Sequence, residues 1–162
     1  MKSTRNSKAR YVYKSRGCFS EEKTSCYIKQ VLEAFIYLQT NNIIHRDLKP
    51  ENLLNCDGVI KLADFGWSVY AKAATRRTFC GTLLYMPPEM AQGQEYDFRS
   101  DNWAVGILTY EFLAGKPPFV METSPEILEA IKKGALSFPA ALSSDAINFM
   151  SRLIMLDPEQ RM

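Results

Sequence analysis

The chain has 162 residues, 46% hydrophobic and 23% charged, the proportions of an ordinary globular domain large enough for a real core. No run approaches the about 18 consecutive apolar residues that a membrane helix needs. The net charge of +2 hides an asymmetry: six of the 20 basic residues lie in 1–16, which has no acid, so 17–162 carries 14 bases against 18 acids. A basic arm on a mildly acidic body can touch nucleic acid or another acidic surface, but a solvated, disordered tail over 1–16 is the preferred reading. That arm has no apolar stretch behind it and does not read as a secretory signal. Cys18, Cys26, Cys56 and Cys80 are too far apart for C-x-x-C motifs, so free thiols in a reducing compartment are expected.

Beyond the arm, Ser20 is a fitting N-cap, with Glu21 and Glu22 in the favourable first turn. Tyr27, Ile28, Val31, Leu32, Phe35, Ile36 and Leu38 recur at helical spacing until Asn41 and Asn42, predicting a core-facing helix of about five turns. Leu53-Leu54 and Val59 to Leu62 flank Asn55-Cys56-Asp57-Gly58, and Asp-Gly between β-prone runs predicts a hairpin. Residues 67–95 have no sustained period and read as a long ordered loop, which is unusual in a compact domain unless it has work to do. A largely apolar helix follows from about Ser100 to Leu113, stopping at Gly115. Another starts at Ser124-Pro125 and stops near Gly134, and a last one runs from about Ser144 to Leu156 with Ile147, Met150, Leu153 and Ile154 inward. The fold class expected is mainly α with one small β-hairpin.

The segment His45-Arg46-Asp47-Leu48-Lys49-Pro50-Glu51-Asn52 carries the most information. Seventeen residues past Asp47 comes Asp64-Phe65-Gly66, and further on lies Pro87-Pro88-Glu89. In this order the three segments resemble the H-R-D-x-K-x-x-N, D-F-G and A-P-E elements of protein kinases, a combination far more specific than any one triplet. The fold implied is the C-terminal lobe of a protein kinase. Lysine at position 49 is similar to serine/threonine kinases, since tyrosine kinases usually carry H-R-D-L-A-A-R-N. Asp64-Phe65-Gly66-Trp67-Ser68-Val69, Arg76-Arg77-Thr78-Phe79-Cys80-Gly81-Thr82-Leu83 and Tyr85-Met86-Pro87-Pro88-Glu89-Met90 look like the Aurora group. The resemblance covers roughly residues 17–162.

The resemblance implies roles residue by residue. Asp47 would orient a substrate hydroxyl and accept its proton, while Lys49 would neutralise charge on the transferred phosphoryl group. Asn52 and Asp64 would hold Mg²⁺ from opposite sides of the hairpin. Lys49, Glu51, Asn52, Leu54 and Asp64 would contact ATP, with Leu54 in the apolar floor under adenine. Thr82 would contact Asp47 and Lys49. Thr78 aligns with an activation-loop phosphothreonine that would pair with Arg46 and order the loop, and its Arg-Arg-Thr context suggests autophosphorylation in trans. Asp101 would cap the His45-Arg46 backbone, and Glu89 with Arg161 would tie the loop to the helical body. His45, the sole histidine, invites a metal or acid-base role, but the resemblance makes it a packing residue beside Phe65.

The pattern also departs from the family. No G-x-G-x-x-G occurs, only 44 residues precede His45, and the β-strand lysine, the helix glutamate and the hinge are not found. The expected organisation is a basic tail over 1–16 and a partial kinase domain over 17–162, its N-terminal lobe missing, with weak ATP binding by the chain alone. Leu84 stands where Aurora kinases have an acid. Three readings follow: a serine/threonine kinase lobe, a catalytically silent fragment that binds proteins, or an incomplete gene model. The intact Asp47, Lys49, Asn52 and Asp64 argue against lost catalysis and favour the first or the third. Protein substrates bearing serine or threonine, an activating partner protein, and an intracellular place at the spindle or centrosome are implied by resemblance; membrane and nucleic-acid partners are not expected.

Overall fold

The computed structural model describes residues 10–12, 17–70 and 81–162. Helix α1 spans Glu21–Thr40. The Ser20 hydroxyl accepts the Lys23 amide at 3.3 Å, filling one of the bonds a helix start leaves open. Ile28, Val31, Phe35 and Leu38 form its buried stripe, and Asn41 closes it.

Strand β2 (Ile43–Ile44) leads into the loop that ends at β3 (Leu53–Cys56), which pairs with β4 (Val59–Leu62) in an antiparallel hairpin. The turn is at Asp57 and Gly58, both at positive φ (52° and 92°), the twist a two-residue hairpin turn needs. The sheet is larger than the sequence suggests. Strand β1 (Arg10–Tyr11) pairs antiparallel with β3, the Val12 amide donates to the Leu53 carbonyl at 2.8 Å, and Val12 is buried in the core. The expectation of a disordered tail therefore fails at residues 10–12, where an apolar, β-prone Tyr-Val gains its order from an open sheet edge. The remainder of 1–16 lies outside the described residues. Strand β5 (Val69–Tyr70) pairs antiparallel with β2 in a second small sheet.

The expected loop over 67–95 contains β5, a 3-10 turn at Leu83–Tyr85 and the short helix α2 (Pro88–Ala91). Residues 71–80, and with them Thr78, lie outside the described residues. Helix α3 (Arg99–Ala114) is the axis of the fold, with Trp103, Val105, Ile107, Leu108 and Phe112 buried around its circumference. Its Gly106 is a close-approach point, since a Cβ there would fall 2.6 Å from the Ile154 side chain.

Helix α4 spans Ser124–Lys133, and its cap is Thr123 rather than Ser124. The Thr123 hydroxyl accepts the Glu126 amide while the Glu126 carboxylate accepts the Thr123 amide, a reciprocal box that outweighs Ser-Pro as a start signal. Helix α5 spans Ser144–Leu153, three residues shorter at its end than the periodicity suggests, and Leu156 is exposed. The chain leaves helical geometry at Ile154 and enters a further 3-10 turn at Pro158–Gln160, where the Asp157 carboxylate accepts the Glu159 amide at 2.9 Å. Ser143, the cap of α5, donates its amide and its hydroxyl to the Glu21 carboxylate at 2.8 and 2.7 Å, joining the starts of α1 and α5. Among the described residues no helix is long and apolar enough to cross a membrane.

Candidate active site

The site is built on the loop from β2 to β3. His45, fully buried, packs edge-on against Phe35 and Phe65, with ring centroids 6.0 and 5.0 Å away. Its Nδ1 accepts the Asp47 amide at 3.3 Å, so Nε2 carries the proton and donates to the Ala63 carbonyl at 3.3 Å. Burial holds the ring's pKa below its usual value, which keeps this tautomer neutral. His45 is a strut between the loop and the end of β4.

Arg46 has φ of 70°, a left-handed conformation costly for any residue with a Cβ. Asp101, in the first turn of α3, holds it there, its carboxylate accepting the His45 amide at 2.8 Å and the Arg46 amide at 2.9 Å. Burial pushes the Asp101 pKa up to about 6, although both amides and the Arg46 charge favour the ionised form. The Arg46 guanidinium donates to the Trp67 carbonyl at 2.6 Å and the Tyr96 hydroxyl at 2.7 Å.

Asp47, 3% exposed, is the hub. Its carboxylate accepts Thr82 Oγ1 at 2.8 Å on one oxygen, and Lys49 Nζ at 2.7 Å and Asn52 Nδ2 at 3.1 Å on the other. Burial alone would raise its pKa, but these donors together hold it below the ordinary aspartate value. Lys49 also donates to Thr82 at 3.1 Å, closing a ring of three side chains. Thr82 reaches this ring because Gly81 precedes it, at φ of 87° and so close to the loop that a Cβ would fall 2.4 Å from the Arg46 carbonyl.

Asn52 Nδ2 donates to both the carbonyl and the carboxylate of Asp47, which turns its own carbonyl oxygen away from Asp47. The Ala63 amide donates to the Asn52 carbonyl at 2.8 Å, so Asp64 leaves the hairpin next to Asn52. Asp64 is exposed, has φ of 60°, and accepts the Gly66 amide at 3.1 Å. Asn52 and Asp64 thus offer hard oxygens at one end of the hairpin, a donor type that suits Mg²⁺. Among the described residues no three His, Cys, Asp or Glu side chains gather as a metal site. Glu51 is exposed beside Asn52, and Leu54 is half-buried, its neighbour Leu53 taking the core-facing position.

Below the site, Arg161 donates to both oxygens of Glu89 at 2.8 and 2.9 Å, with both side chains buried. It also donates to the Arg99 and Met155 carbonyls and lies over the Trp103 ring, 5.3 Å from its centroid. Leu84, in the position the resemblance makes acidic, packs on the main core. Gly81, Tyr96 and a hydrogen bond from the Tyr85 hydroxyl to Glu111 belong to the same neighbourhood without having been singled out from the sequence. A glycine directly ahead of Thr82 was a signal for the first; nothing local announced the others.

The protein kinase domain family matches the chain over residues 1–162. The chain belongs to that family. Among curated relatives it is similar to Aurora kinase A-B of Xenopus laevis, with 45% identity over 89% of this chain and 36% of the relative. The Aurora kinase of Schizosaccharomyces pombe is 50% identical over 89% of this chain and 41% of its own length, and that of Encephalitozoon cuniculi 49% identical over 90% and 55%. The chain therefore spans between about a third and just over half the length of these relatives. Its helical body and small sheets are those expected of a kinase-like lobe.

Proposed function

We propose that the chain carries the phosphoryl-transfer site of a serine/threonine protein kinase of Aurora type, moving the γ-phosphate of ATP to protein serine or threonine hydroxyls. The observation that supports this most is the Asp47 carboxylate, ionised by its donors and fixed by Lys49, Asn52 and Thr82 at the mouth of the hairpin from which Asp64 emerges. In this reading Asp47 receives the acceptor hydroxyl, orients its oxygen and takes its proton. Lys49 lies 2.7 Å from Asp47 and offsets negative charge on the phosphoryl group as it moves. Thr82, bonded to both, shapes the space beside the acceptor for a small aliphatic hydroxyl. Asn52 and Asp64 would hold Mg²⁺, which when bound would screen the phosphate charges. Lys49, Glu51, Asn52, Leu54 and Asp64 would line the ATP side.

Asp101, Glu89 and Arg161 act as supports. Phosphorylation of Thr78, paired with Arg46, would be the regulatory step. A kinase domain over 17–162 with a basic segment ahead of it, an activating partner protein and work at the spindle or centrosome complete the proposal, on the likeness to Aurora kinases alone.

The test is phosphate transfer from Mg-ATP to a serine peptide with arginines upstream, with phosphate on Thr78 read in parallel by mass spectrometry. Transfer by the wild type that falls by about 100-fold or more in Asp47→Asn is expected, the range for loss of a positioned base. Equal transfer by both proteins would remove Asp47 from the mechanism. Absence of transfer by folded wild type would favour a silent binding module.

A further inference from the structure

Tyr96 lies in the segment between α2 and α3, 4% exposed, in a small apolar cluster with Met86 and Met90 against which Leu83 and Leu128 pack. Its hydroxyl leaves this cluster to accept Arg46 Nη1 at 2.7 Å, while Arg46 Nε donates to the Trp67 carbonyl at 2.6 Å. One planar group therefore joins three segments distant in sequence: the loop bearing Asp47, the stretch after Asp64, and the approach to α3. The Arg46 backbone is itself held in a left-handed conformation by Asp101, so the guanidinium starts from a fixed root.

We propose that Tyr96 is a positioning residue, its hydroxyl fixing the Arg46 guanidinium against the Trp67 carbonyl and so coupling the apolar cluster beneath Leu83 to the segment that follows Asp64. Arginine presents its donors in a rigid fork, so holding one nitrogen orients the others. Removing the hydroxyl leaves a half-buried cationic donor without that acceptor, and a lost hydrogen bond to a charged group is worth roughly tenfold or more in an equilibrium. The carbonyl of Trp67 would then be held by a looser partner. The effect on phosphate transfer rests on the kinase reading above; the effect on the backbone does not.

The experiment compares the full chain with Tyr96→Phe, which keeps the ring in the cluster, and Met90→Leu, which perturbs the cluster and keeps the hydroxyl. Hydrogen exchange at the Ser68, Val69 and Tyr70 amides is the first readout, and kcat against KM for ATP the second. Tyr96→Phe should speed exchange at those amides about tenfold and lower kcat by a similar factor with KM unchanged, while Met90→Leu stays within about twofold of the wild type in both. Unchanged exchange in Tyr96→Phe overturns the coupling, as does an equal rise in Met90→Leu, which would make the effect one of packing. Faster exchange with unchanged kcat overturns the positioning role. Faster exchange in a protein whose wild type transfers no phosphate leaves the coupling standing and defeats the kinase reading instead.

Discussion

The two segments that flank the β3–β4 hairpin, side by side at its open end, are built on opposite plans. The loop entering β3 is buried and held from several directions: Asp101 takes two of its amides, Lys49 and Thr82 close on Asp47, and Asn52 bonds the Asp47 carbonyl. The segment leaving β4 is open. Asp64 is exposed, and Phe65 and Trp67 are 48% and 50% exposed despite their size. The half that would receive the acceptor is thus preorganised by the helical body, where charges are worth most because water is excluded. The half that would meet nucleotide and metal presents its groups to whatever binds there.

The closed segment should be the easier to break. In Gly81→Ala the new methyl group would meet the Arg46 carbonyl at 2.4 Å, and alanine would also be forced to a φ of 87°. Left-handed strain alone costs about 1–3 kcal/mol, and the overlap is with backbone already anchored by Asp101. We expect a loss of about 3 kcal/mol or more in denaturant unfolding. If the segment shifts instead, Thr82 moves off Asp47 and phosphate transfer falls about 100-fold. A variant with wild-type stability and transfer would show that this segment is not tightly fixed.

A second test uses the opposite protonation preferences of two carboxylates in the same neighbourhood. Asp101 has a folded pKa of about 6 against an ordinary 3.8. Its folded state therefore prefers the proton, so the stability linked to this group is fully present below 3.8 and lost as pH rises through about 6. Asp47 is shifted downward and acts in the other sense, favouring the fold above its ordinary value and ceasing to do so on acidification. Asp101→Asn removes the first contribution only. Between pH 7 and pH 4.5 the stability difference should shift in favour of the wild type by about 1–3 kcal/mol, measured by chemical denaturation at each pH. A difference that is flat with pH would mean that Asp101 is not desolvated as its position implies.

Much of this was legible beforehand because the signals are local. Ser20 with a 3.6-residue stripe announced α1, and Asp57-Gly58 between apolar runs announced the hairpin. The grouping of Asp47, Lys49, Asn52 and Thr82 is not local and was expected only because the resemblance implied it. What escaped depends on distant or competing contacts. Strand β1 is two residues long and owes its order to pairing with β3 rather than to its own propensity. The start of α4 was misplaced by one residue because Thr123 and Ser124 are both good caps, and only Glu126, at the right spacing from Thr123, decides between them. Tyr96 meets Arg46 across 50 residues of sequence, and an aromatic in an aperiodic stretch gives no hint of it.

The smallest effect on the fold, and the sharpest contrast, belongs to Asp64→Asn. Asp64 lies in water at the open end, and its Oδ1 accepts the Gly66 amide, which an asparagine oxygen accepts equally well. Asparagine also tolerates the φ of 60° found there. Unfolding free energy should therefore stay within about 0.5 kcal/mol of the wild type, the range of an ordinary surface change. Phosphate transfer should still fall about 100-fold or more, with the Mg²⁺ concentration for half-maximal rate displaced upward, because a neutral amide is a weaker ligand for a hard dication than a carboxylate. A large loss of stability would show that Asp64 belongs with the closed, structural segment after all. Unchanged transfer at every Mg²⁺ concentration would mean that the open end does not receive the metal.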